Sequence, residues 1–338
     1  MRLTYKTYQL DLKYPFTIAN YSRTYTPIIL LQIEHEGVIG FGEASMVPYM
    51  GENYETAAQF LKKVDISWLQ FPINFDECIA YFDKIEPGQP AIKAAIDIAL
   101  HDLEGKLLNV SCYKLFASNP ENMPITSVTI GMDVPEIIIK KVFEAEQCKV
   151  LKVKLGALTD KLLIDTIRSV SDLPLYVDAN QGWTDLAKSL DFIYWLKEQN
   201  VLLVEQPMPK NDVAGNAWLT ERSPIPIIGD EAVQRLSDVS KAEGVYHGIN
   251  VKLMKSAGMH EAHQMILKAR ALNLKVLIGC MSETSCATLA AVSLAPLCDW
   301  ADIDGPFLTK NNPFEDPLFT EGKWVLSDTP GLGLVAKD

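Results

Sequence analysis

Acidic residues end a series of short apolar runs in the second half of the chain. Asp178 follows PLYV, Glu205 follows VLLV and Asp230 follows PIIG. Charged groups in apolar strands are costly to bury without partners, so their recurrence indicates a shared site. A single acid of this kind would more often cap the next helix. Three in succession favour a Mg²⁺ site built from oxygen ligands, with Glu231 as an outer partner.

Lysines flank these acids on both sides. Lys152 and Lys154 lie two residues apart in LKVKLG, so both side chains point to one face of their strand. Lys252 ends the later run GINVK. A single lysine at a strand end is often a surface residue whose ammonium group stays in water. A lysine pair and a third lysine around an acidic cluster are harder to explain by structure alone.

These lysines suggest proton transfer. A lysine near a divalent cation and other lysines should have a lowered pKa, because each positive charge disfavours its protonated form. Such a lysine can act as a base near neutral pH. Two of them on opposite faces of one carbon would remove a proton from one face and return one to the other. We leave Lys255 out of the site, because we expect it on the loop after Lys252.

Asp302 and Asp304 close the last apolar run and share one face of it. The three other acids already suffice for a metal ion, so this pair would suit an ammonium group on the substrate. A helix cap or a strand stop explains the pair equally well.

The spacing of these runs predicts the fold of the second half. From about residue 124, eight strand-like runs alternate with helical stretches at a spacing of about 25 residues. They are ITSVTIG, VLKVKLG, PLYVDAN, VLLVEQP, PIIGDE, GINVKL, KVLIGC and DWADID. A solenoid could have this period but would need a repeat consensus, whereas eight strand–helix units close a barrel. We therefore predict a barrel at 124–310, in which strand ends carry the active site.

The first part of the chain has a different pattern. Alternating residues from Met1 to about Glu52 predict antiparallel strands, two of them joined at Glu36-Gly37. Helical periodicity follows, and AIKAAIDIALHDLEGKLL places its apolar residues on one face. We predict an α+β domain at 1–123, completed by about 311–338, which lacks the barrel rhythm and should pack on the first domain.

Composition restricts the function classes. The 338 residues carry 31 Lys+Arg and 43 Asp+Glu, a net charge of −12, which argues against a nucleic-acid partner. The six cysteines show no zinc-ligand spacing and are expected to be reduced thiols. No apolar run is long enough for a membrane span, and the amino terminus shows no signal peptide. We expect a cytoplasmic protein without a membrane partner.

The combined motifs resemble the enolase superfamily, in its muconate-lactonizing subgroup. They are KVK at 152–154, VDAN, VEQP, GDE, VKLMKSAG and ADIDG, and the resemblance covers essentially the whole chain. It implies an α/β fold with a modified (β/α)7β barrel, which resembles a TIM barrel, and an α+β capping domain formed by both chain ends. It also implies a lysine base with Mg²⁺ stabilising an enediolate.

Within that subgroup, the Asp-x-Asp pair resembles the dipeptide epimerases, and the resemblance implies a role for each residue. One Mg²⁺ would be held by Asp178, Glu205 and Asp230. Lys154 and Lys252 would be the acid/base catalysts, and Lys152 would contact the substrate carboxylate. Asp302 and Asp304 would bind the substrate's amino terminus. Further substrate contacts would come from Thr129, Cys280 and Ser282.

The substrate preference is expected to depend on the capping domain. Arg23, in the predicted loop FTIANYSRTYT, could pair with a side-chain carboxylate and so favour the murein dipeptide L-Ala-D/L-Glu. Arg23 could equally be a solvated loop charge. Tyr25, Tyr49 and Met50 would suit an apolar second residue instead.

Other functions remain open. Epimerisation of hydrophobic dipeptides is one, and o-succinylbenzoate synthesis or muconate cycloisomerisation on the same site is another. Substrates of the latter two have no ammonium group, so Asp302 and Asp304 count against them. A non-catalytic metal-dependent binding protein would have no use for opposed lysines. The resemblance also implies a homo-oligomer.

Overall fold

A three-stranded antiparallel sheet opens the fold. The computed structural model describes residues 1–18, 21–156 and 160–337. Strands β1 (Arg2–Ile18), β2 (Tyr21–His35) and β3 (Val38–Ser45) pair in that order. Glu36 and Gly37 form the β2–β3 turn with φ of 52° and 80°, as the sequence predicts. The predicted loop around Arg23 is wrong, because residues 16–18 and 21–26 belong to the paired strands, and Ala19 and Asn20 lie outside the described residues.

Helices follow the sheet. They are α1 (Tyr54–Leu61), α2 (Phe75–Ile85), α3 (Pro90–Leu107) and α4 (Cys112–Leu115). Helix α3 packs closely against β3, since a Cβ on Gly40 would lie 2.1 Å from the carbonyl oxygen of Ala99 and one on Gly42 1.8 Å from that of Ala95. Only glycine permits this approach of the two backbones.

Helix α3 is buried on all sides, whereas the sequence predicted a single apolar face. Residues 91–105 are all buried, including Lys93, Asp97 and Asp102. These polar side chains have partners: Lys93 Nζ donates to Asp83 Oδ1 at 2.6 Å, and Asp102 Oδ2 accepts from the backbone N–H of Phe41 at 2.8 Å. The helix lies between the sheet and the second part of the chain, so its polar face is also covered.

The second part of the chain forms an eight-stranded parallel barrel, as predicted. Its strands are β4 (Ser127–Ile130), β5 (Val150–Lys154), β6 (Leu175–Asp178), β7 (Val201–Glu205), β8 (Ile227–Gly229), β9 (Gly248–Lys252), β10 (Lys275–Gly279) and β11 (Trp300–Asp302). They pair in chain order, and a parallel bridge between Thr126 and Ala301 joins the first strand to the last.

Helices surround the barrel. They are α5 (Pro135–Glu144), α6 (Asp160–Arg168), α7 (Leu186–Glu198), α8 (Val213–Arg222), α9 (Leu236–Val239), α10 (Leu253–Ser256), α11 (Met259–Ala271), α12 (Ser285–Leu294) and α13 (Gly305–Leu308). Short 3-10 turns are at Pro48–Met50, Pro120–Asn122, Ser240–Ala242 and Ala295–Leu297.

Two layers of inward-facing residues fill the barrel. The lower layer is an apolar cluster, Val150, Tyr176, Leu203, Ile228 and Leu277. Two residues further along each of these strands the inward positions are Lys152, Asp178, Glu205, Asp230 and Gly279. Because side chains alternate along a strand, both layers face the interior. The apolar layer closes one end of the barrel, and the charged layer lies at the carboxyl ends of the strands.

The last residues return to contact both parts of the chain. Leu332 N donates to Asp102 Oδ1 of α3 at 2.8 Å, which is the predicted contact with the first domain. The segment also reaches the barrel, because Trp324 Nε1 donates to the carbonyl oxygen of Ile303 at 2.8 Å. Two short strands, β12 (Phe319–Thr320) and β13 (Lys323–Trp324), form a separate pair. The exact domain boundaries stay a prediction.

All six cysteines carry free thiols. In the described part of the chain, no helix is both long and apolar enough to cross a membrane.

Candidate active site

The order of the strands around the barrel places four charged strand ends in two opposed pairs, and the diameters that join the two pairs are perpendicular. Strands β5 and β9 are four positions apart in the ring of eight, so Lys154 and Lys252 lie on opposite sides. Strands β7 and β11 are also four apart, so Glu205 faces Asp302 along the other diameter. Lys154 is in register with Asp178, and Asp178 with Glu205, which places the three at one depth.

Three buried carboxylates form one cluster at the mouth of the barrel. Oxygens of Asp178, Glu205 and Asp230 lie within 4.8 Å of one another. They come from the ends of three successive strands, which brings them together as the sequence predicts. Three carboxylate oxygens at this separation match the donor set of a hard divalent cation.

The carboxylates of the cluster are not electrostatically equivalent. Burial raises the pKa of Asp178, but the positive charges of Lys154 and Lys152 outweigh this effect and lower the pKa to about 2. Burial and the charge of Asp178 raise the pKa of Glu205 to about 7. Burial also raises the pKa of Asp230, but the nearby lysines, Lys252 first, hold it well below its ordinary value. Neighbouring charges therefore decide which carboxylate holds its proton most weakly.

Lys152 lies at the centre of the site. Its Nζ donates to Glu205 Oε2 at 2.5 Å and to Asp302 Oδ2 at 2.7 Å, and lies 3.2 Å from Asp178 Oδ2. Burial lowers the pKa of Lys152, but these carboxylates raise it well above the ordinary value. The expectation of a lowered pKa concerns a lysine beside a bound divalent cation, whose charge is not among these causes, so that expectation stays a prediction. Lys152 Nζ thus links the acidic cluster to Asp302.

The two opposed lysines each contact a different carboxylate. Lys154 Nζ donates to Asp178 Oδ2 at 2.6 Å, and Lys252 Nζ to Asp230 Oδ2 at 2.7 Å. The three-stranded sheet of β1, β2 and β3 is called the capping sheet. The centre of the ring of Phe16, on β1 of this sheet, lies 5.7 Å from Lys154 Nζ. Both lysines are buried, and both line the two cavities of the site.

Gly279 makes room for Lys252. A Cβ on Gly279 would lie 2.6 Å from Asn250 Oδ1 and 3.1 Å from Lys252 Cε. Asn250 in turn donates from Nδ2 to Glu205 Oε1 at 2.7 Å. Sequence reasoning missed both Gly279 and Asn250, although Asn250 lies two residues before Lys252 and so shares its strand face.

Asp302 and Asp304 lie together at the other end of the site. Asp302 Oδ1 accepts from Ser127 Oγ at 2.7 Å, and its other oxygen accepts from Lys152. Asp304 Oδ2 accepts from the backbone N–H of Thr129 at 2.8 Å. Burial, followed by the charge of Asp302, raises the pKa of Asp304 to about 6. Cys280 Sγ lies 3.5 Å from Asp304 Oδ1, so two of the three predicted contact residues, Thr129 and Cys280, lie beside this pair.

Arg23 reaches the site from the capping sheet. Its Nη2 donates to Ser282 Oγ at 3.0 Å, and its guanidinium carbon lies 5.2 Å from the centre of the Phe16 ring. Only 7% of Arg23 is exposed, which excludes the alternative of a solvated loop charge. Tyr25 is 46% exposed, Met50 is half-buried, and the Tyr49 side chain lies outside the described part of the structure.

Lys255 belongs to the site, contrary to the prediction from sequence. It lies in α10 and not on a loop, and its Nζ donates to Asp230 Oδ1 at 2.5 Å. The same nitrogen donates to the backbone carbonyls of Asp230, Val233 and Asn250. Burial lowers the pKa of Lys255. Lys255 follows Lys252 by three residues, so one helical turn after the strand would place both side chains on the same side. This spacing was the signal in the sequence.

Glu231 lies beside the cluster and lines a cavity of the site, and Asn180 Nδ2 donates to Glu231 Oε1 at 3.3 Å. Burial, followed by the charges of Asp230 and Asp178, raises the pKa of Glu231. This position agrees with an outer partner of the cluster.

Two adjoining cavities meet at the opposed lysines. The smaller, of about 40 Å³, is lined by Lys152, Asp302, Asp304, Thr129 and Arg23, among others. The larger, of about 310 Å³, is lined by Asp230, Glu231, Asn180, Lys210 and Met50, among others. Lys154, Lys252, Phe16 and Met281 line both cavities. A small molecule with unlike ends could therefore lie with its centre between the lysines.

The sequence matches two family descriptions. "Mandelate racemase / muconate lactonizing enzyme, N-terminal domain" matches residues 2–117, and "Enolase C-terminal domain-like" matches residues 138–338. The chain is 48% identical over 336 residues to an L-Ala-D/L-Glu epimerase of Bacteroides thetaiotaomicron, which covers 99% of this chain and 88% of the relative. It is 37% identical over 348 residues to an L-Ala-D/L-amino acid epimerase of Pedosphaera parvula, covering both chains fully.

The fold is similar to that of solved enzymes. A crystal structure of a dipeptide epimerase from Enterococcus faecalis V583, complexed with Mg and the dipeptide L-Leu-L-Tyr, superimposes with a TM-score of 0.89 at 29% identity, covering 98% of each chain. The capping sheet lies within the first family match and most of the barrel within the second, and the two matches together span nearly the whole chain. The chain therefore belongs to the enolase superfamily, among the mandelate racemase and muconate lactonizing enzymes.

Proposed function

We propose that this protein is a dipeptide epimerase that inverts the α-carbon of the second residue. One observation carries the proposal: Lys154 and Lys252 lie on strands on opposite sides of the barrel and line the same cavities, between an acidic cluster and a second acidic pair. An acid and a base on opposite faces of one carbon are what a transfer with inversion requires. The epimerases among the relatives support this reaction class.

The donor set fits one Mg²⁺. Asp178, Glu205 and Asp230 are buried, come from three adjacent strand ends and have oxygens within 4.8 Å. When bound, Mg²⁺ would hold the substrate carboxylate and stabilise the negative charge of the enediolate, which makes the α-proton more acidic. The Mg in the related Enterococcus faecalis complex supports this choice of cation.

The residues around the α-carbon divide the proton transfer between them. In one direction, neutral Lys154 removes the α-proton from one face and protonated Lys252 delivers a proton to the other. In the reverse direction the two lysines exchange roles. Lys152, which lies between the two acidic groups, would contact the substrate carboxylate. Asp302 and Asp304 would bind the ammonium group of the first residue.

The perpendicular arrangement of the strand ends sets the direction in which the side chain of the substrate's second residue points. The lysines lie on the β5–β9 diameter, so the plane of the enediolate must contain the β7–β11 diameter and the barrel axis. The carboxylate takes the β7 end and the amide nitrogen leads to the β11 end. The remaining substituent, the second side chain, then points along the axis toward Phe16 and Arg23 of the capping sheet.

A glutamate side chain fits this direction. The guanidinium of Arg23 can form a charge-assisted hydrogen bond with its carboxylate, so we propose L-Ala-D/L-Glu as a substrate. The name of the Bacteroides thetaiotaomicron relative supports this choice. The alternative is a hydrophobic dipeptide, favoured by Met50 in the larger cavity and by the L-Leu-L-Tyr complex of the Enterococcus faecalis enzyme. The cytoplasmic location and the homo-oligomer expected from sequence stay predictions.

Exchange with solvent tests the reaction. The Mg²⁺-loaded protein is incubated in D₂O with L-Ala-L-Glu, and mass spectrometry and chiral separation follow the product. We expect one deuterium at the glutamate α-carbon together with formation of L-Ala-D-Glu, and no exchange after chelation of the metal. If neither this dipeptide nor any member of a dipeptide library exchanges its α-proton, the proposed function is wrong.

A further inference from the structure

Gln206 follows Glu205 at the end of β7 and is fully buried. Its backbone φ of 38° lies in the left-handed region, which residues other than glycine seldom adopt. Such a conformation costs free energy and persists only where the surrounding structure holds it, as often happens at functional sites. The contacts of Gln206 therefore show what this turn is held for.

The side-chain amide of Gln206 uses its full hydrogen-bonding capacity. Its Oε1 accepts from the backbone N–H of Asp230 at 2.9 Å and from that of Ala232 at 3.2 Å. Its Nε2 donates to the carbonyl oxygen of Met208 at 3.1 Å and to the hydroxyl oxygen of Tyr246 at 3.0 Å. Glutamine is the only residue that carries two acceptor and two donor positions at this side-chain length.

The backbone of Gln206 joins the strand ends on both sides. Its N–H donates to the carbonyl oxygen of Ile228 on β8 at 2.8 Å, and its carbonyl oxygen accepts from the N–H of Gln181 at 2.8 Å. Gln181 lies on the loop after β6, three residues beyond Asp178. Gln206 therefore connects the ends of β6, β7 and β8, the three strands that carry the acidic cluster.

The acidic cluster needs such a frame. Its carboxylate oxygens lie within 4.8 Å of one another, and like charges at this separation repel one another. Strand ends that could move apart would relieve the repulsion and leave a wider donor set, which holds a cation less tightly. Gln206 is not among the described residues that line the two cavities of the site, so it is placed to act through the backbone.

We propose that Gln206 is a positioning residue that sets the affinity of the acidic cluster for its divalent cation. It ties the backbone of Asp230 and Ala232 to the end of β7 and so holds Asp230 at a fixed distance from Glu205. It does this without contacting the cation or the substrate. The inference rests on the Mg²⁺ site of the proposed function and extends it to a residue outside the donor set.

Metal titration without substrate tests this role. Mn²⁺ takes the same oxygen ligands as Mg²⁺ and is paramagnetic, so electron paramagnetic resonance measures the free ion. Gln206→Met keeps the side-chain length and removes all four hydrogen bonds. We expect it to bind Mn²⁺ about tenfold to a hundredfold more weakly than the wild type, the loss typical of residues that support metal ligands. An unchanged Mn²⁺ affinity, or a wild type that binds no Mn²⁺, would overturn the proposal.

A second variant covers the case in which Gln206→Met does not fold. Asparagine adopts left-handed backbone more readily than other residues with a side chain, so Gln206→Asn fits the observed φ. Its amide is one methylene shorter and cannot make all four contacts. We expect Mn²⁺ to bind about tenfold more weakly. Wild-type affinity in this variant would likewise contradict the assigned role.

The matched control is Asn216→Leu, at another fully buried amide. Asn216 Nδ2 donates to the carbonyl oxygens of Pro209 and Asp212, which lie on the loop before α8 and not at the strand ends of the cluster. Its loss should lower the melting temperature, as the loss of the Gln206 amide does, but leave the Mn²⁺ affinity unchanged. Equal losses of affinity in both variants would mean general destabilisation and refute a specific role of Gln206.

Epimerase assays separate this proposal from the proposed function. In Gln206→Met the Mg²⁺ concentration for half-maximal rate should rise about tenfold to a hundredfold, whereas kcat at saturating Mg²⁺ should approach that of the wild type. A kcat that stays low at saturating Mg²⁺ would refute a role through the metal. If no dipeptide is epimerised but Mn²⁺ affinity falls selectively in Gln206→Met, the proposed function is wrong and the role of Gln206 is supported.

Discussion

Lys154 Nζ and Lys252 Nζ are each bound to a different carboxylate of the same acidic cluster, at 2.6 Å to Asp178 and 2.7 Å to Asp230. The two lysines lie on strands on opposite sides of the barrel. Each base is therefore oriented by one member of the cluster, and the space between the bases is the place where a substrate carbon must lie.

Removing one base should separate exchange from inversion. In Lys154→Gln or Lys252→Gln we expect epimerisation to decrease by at least about a hundredfold, because general base catalysis contributes that much or more. Each variant should still exchange the α-proton of the one epimer whose proton faces the remaining lysine. Deuterium incorporation is measured separately with L-Ala-L-Glu and L-Ala-D-Glu.

The matched control for this pair is Lys188→Gln, at an exposed lysine of α7, which should behave as the wild type. Exchange of the same epimer in both lysine variants would contradict a two-base mechanism.

Arg23 should determine the preference for an acidic second residue. Arg23→Met is expected to lower kcat/KM for Ala-Glu about tenfold to a hundredfold, since a hydrogen bond to a charged group contributes about 1.5–3 kcal/mol. Ala-Leu should lose much less, because its side chain forms no such bond. The exposed Arg2→Met serves as the control. Equal losses with both dipeptides would assign Arg23 a structural role through its contact with Ser282.

The pKa of Asp304 predicts a pH dependence of substrate capture. Burial and Asp302 raise this pKa to about 6, so Asp304 is ionised above that pH and neutral below it. The negative charge attracts the substrate ammonium, so kcat/KM should decrease about tenfold per unit as the pH falls below this pKa. Because a bound ammonium group favours the ionised form, the corresponding decrease in kcat should begin at lower pH.

In Asp304→Asn the contribution of this carboxyl should disappear, so the kcat/KM profile below about pH 6 should become less steep by about tenfold per unit, at a lower overall activity. The acidic limb set by protonation of the lysine base should remain. Asp191→Asn, at an exposed position on α7, should keep the steepness of the wild type. An acidic limb of unchanged steepness in Asp304→Asn would mean that another group is titrating.

Lys255 should be important for stability as well as for the site. Lys255→Met removes a buried cation from Asp230 and from three backbone carbonyls, so we expect the free energy of unfolding to fall by about 3 kcal/mol. Urea denaturation of the metal-free protein measures it. The control is Lys241→Met, which breaks an exposed pair with Asp238 and should cost less than about 1 kcal/mol. Similar losses in both variants would contradict the role assigned to Lys255.

The local pattern of the sequence was sufficient for the barrel strands and for much of the site. Side chains alternate along a strand, and parallel strands of a barrel end at one edge, so a polar residue at each strand end predicts a common site. This reasoning found the cluster of Asp178, Glu205 and Asp230 before any contact between them was known. Lys152 and Lys154 followed from the same alternation.

The tertiary structure decided what depends on contacts between distant parts of the chain. Arg23 meets Ser282 across 259 residues, and no local pattern predicts that a capping strand brings it into a buried site. Lys255 is buried because α10 turns it back onto Asp230, although its sequence position suggested a loop. Closure of the eight-stranded ring decided that β5 lies opposite β9. Residue types and spacing along the chain determine which groups a strand presents, whereas ring closure and domain packing determine which of these groups face one another.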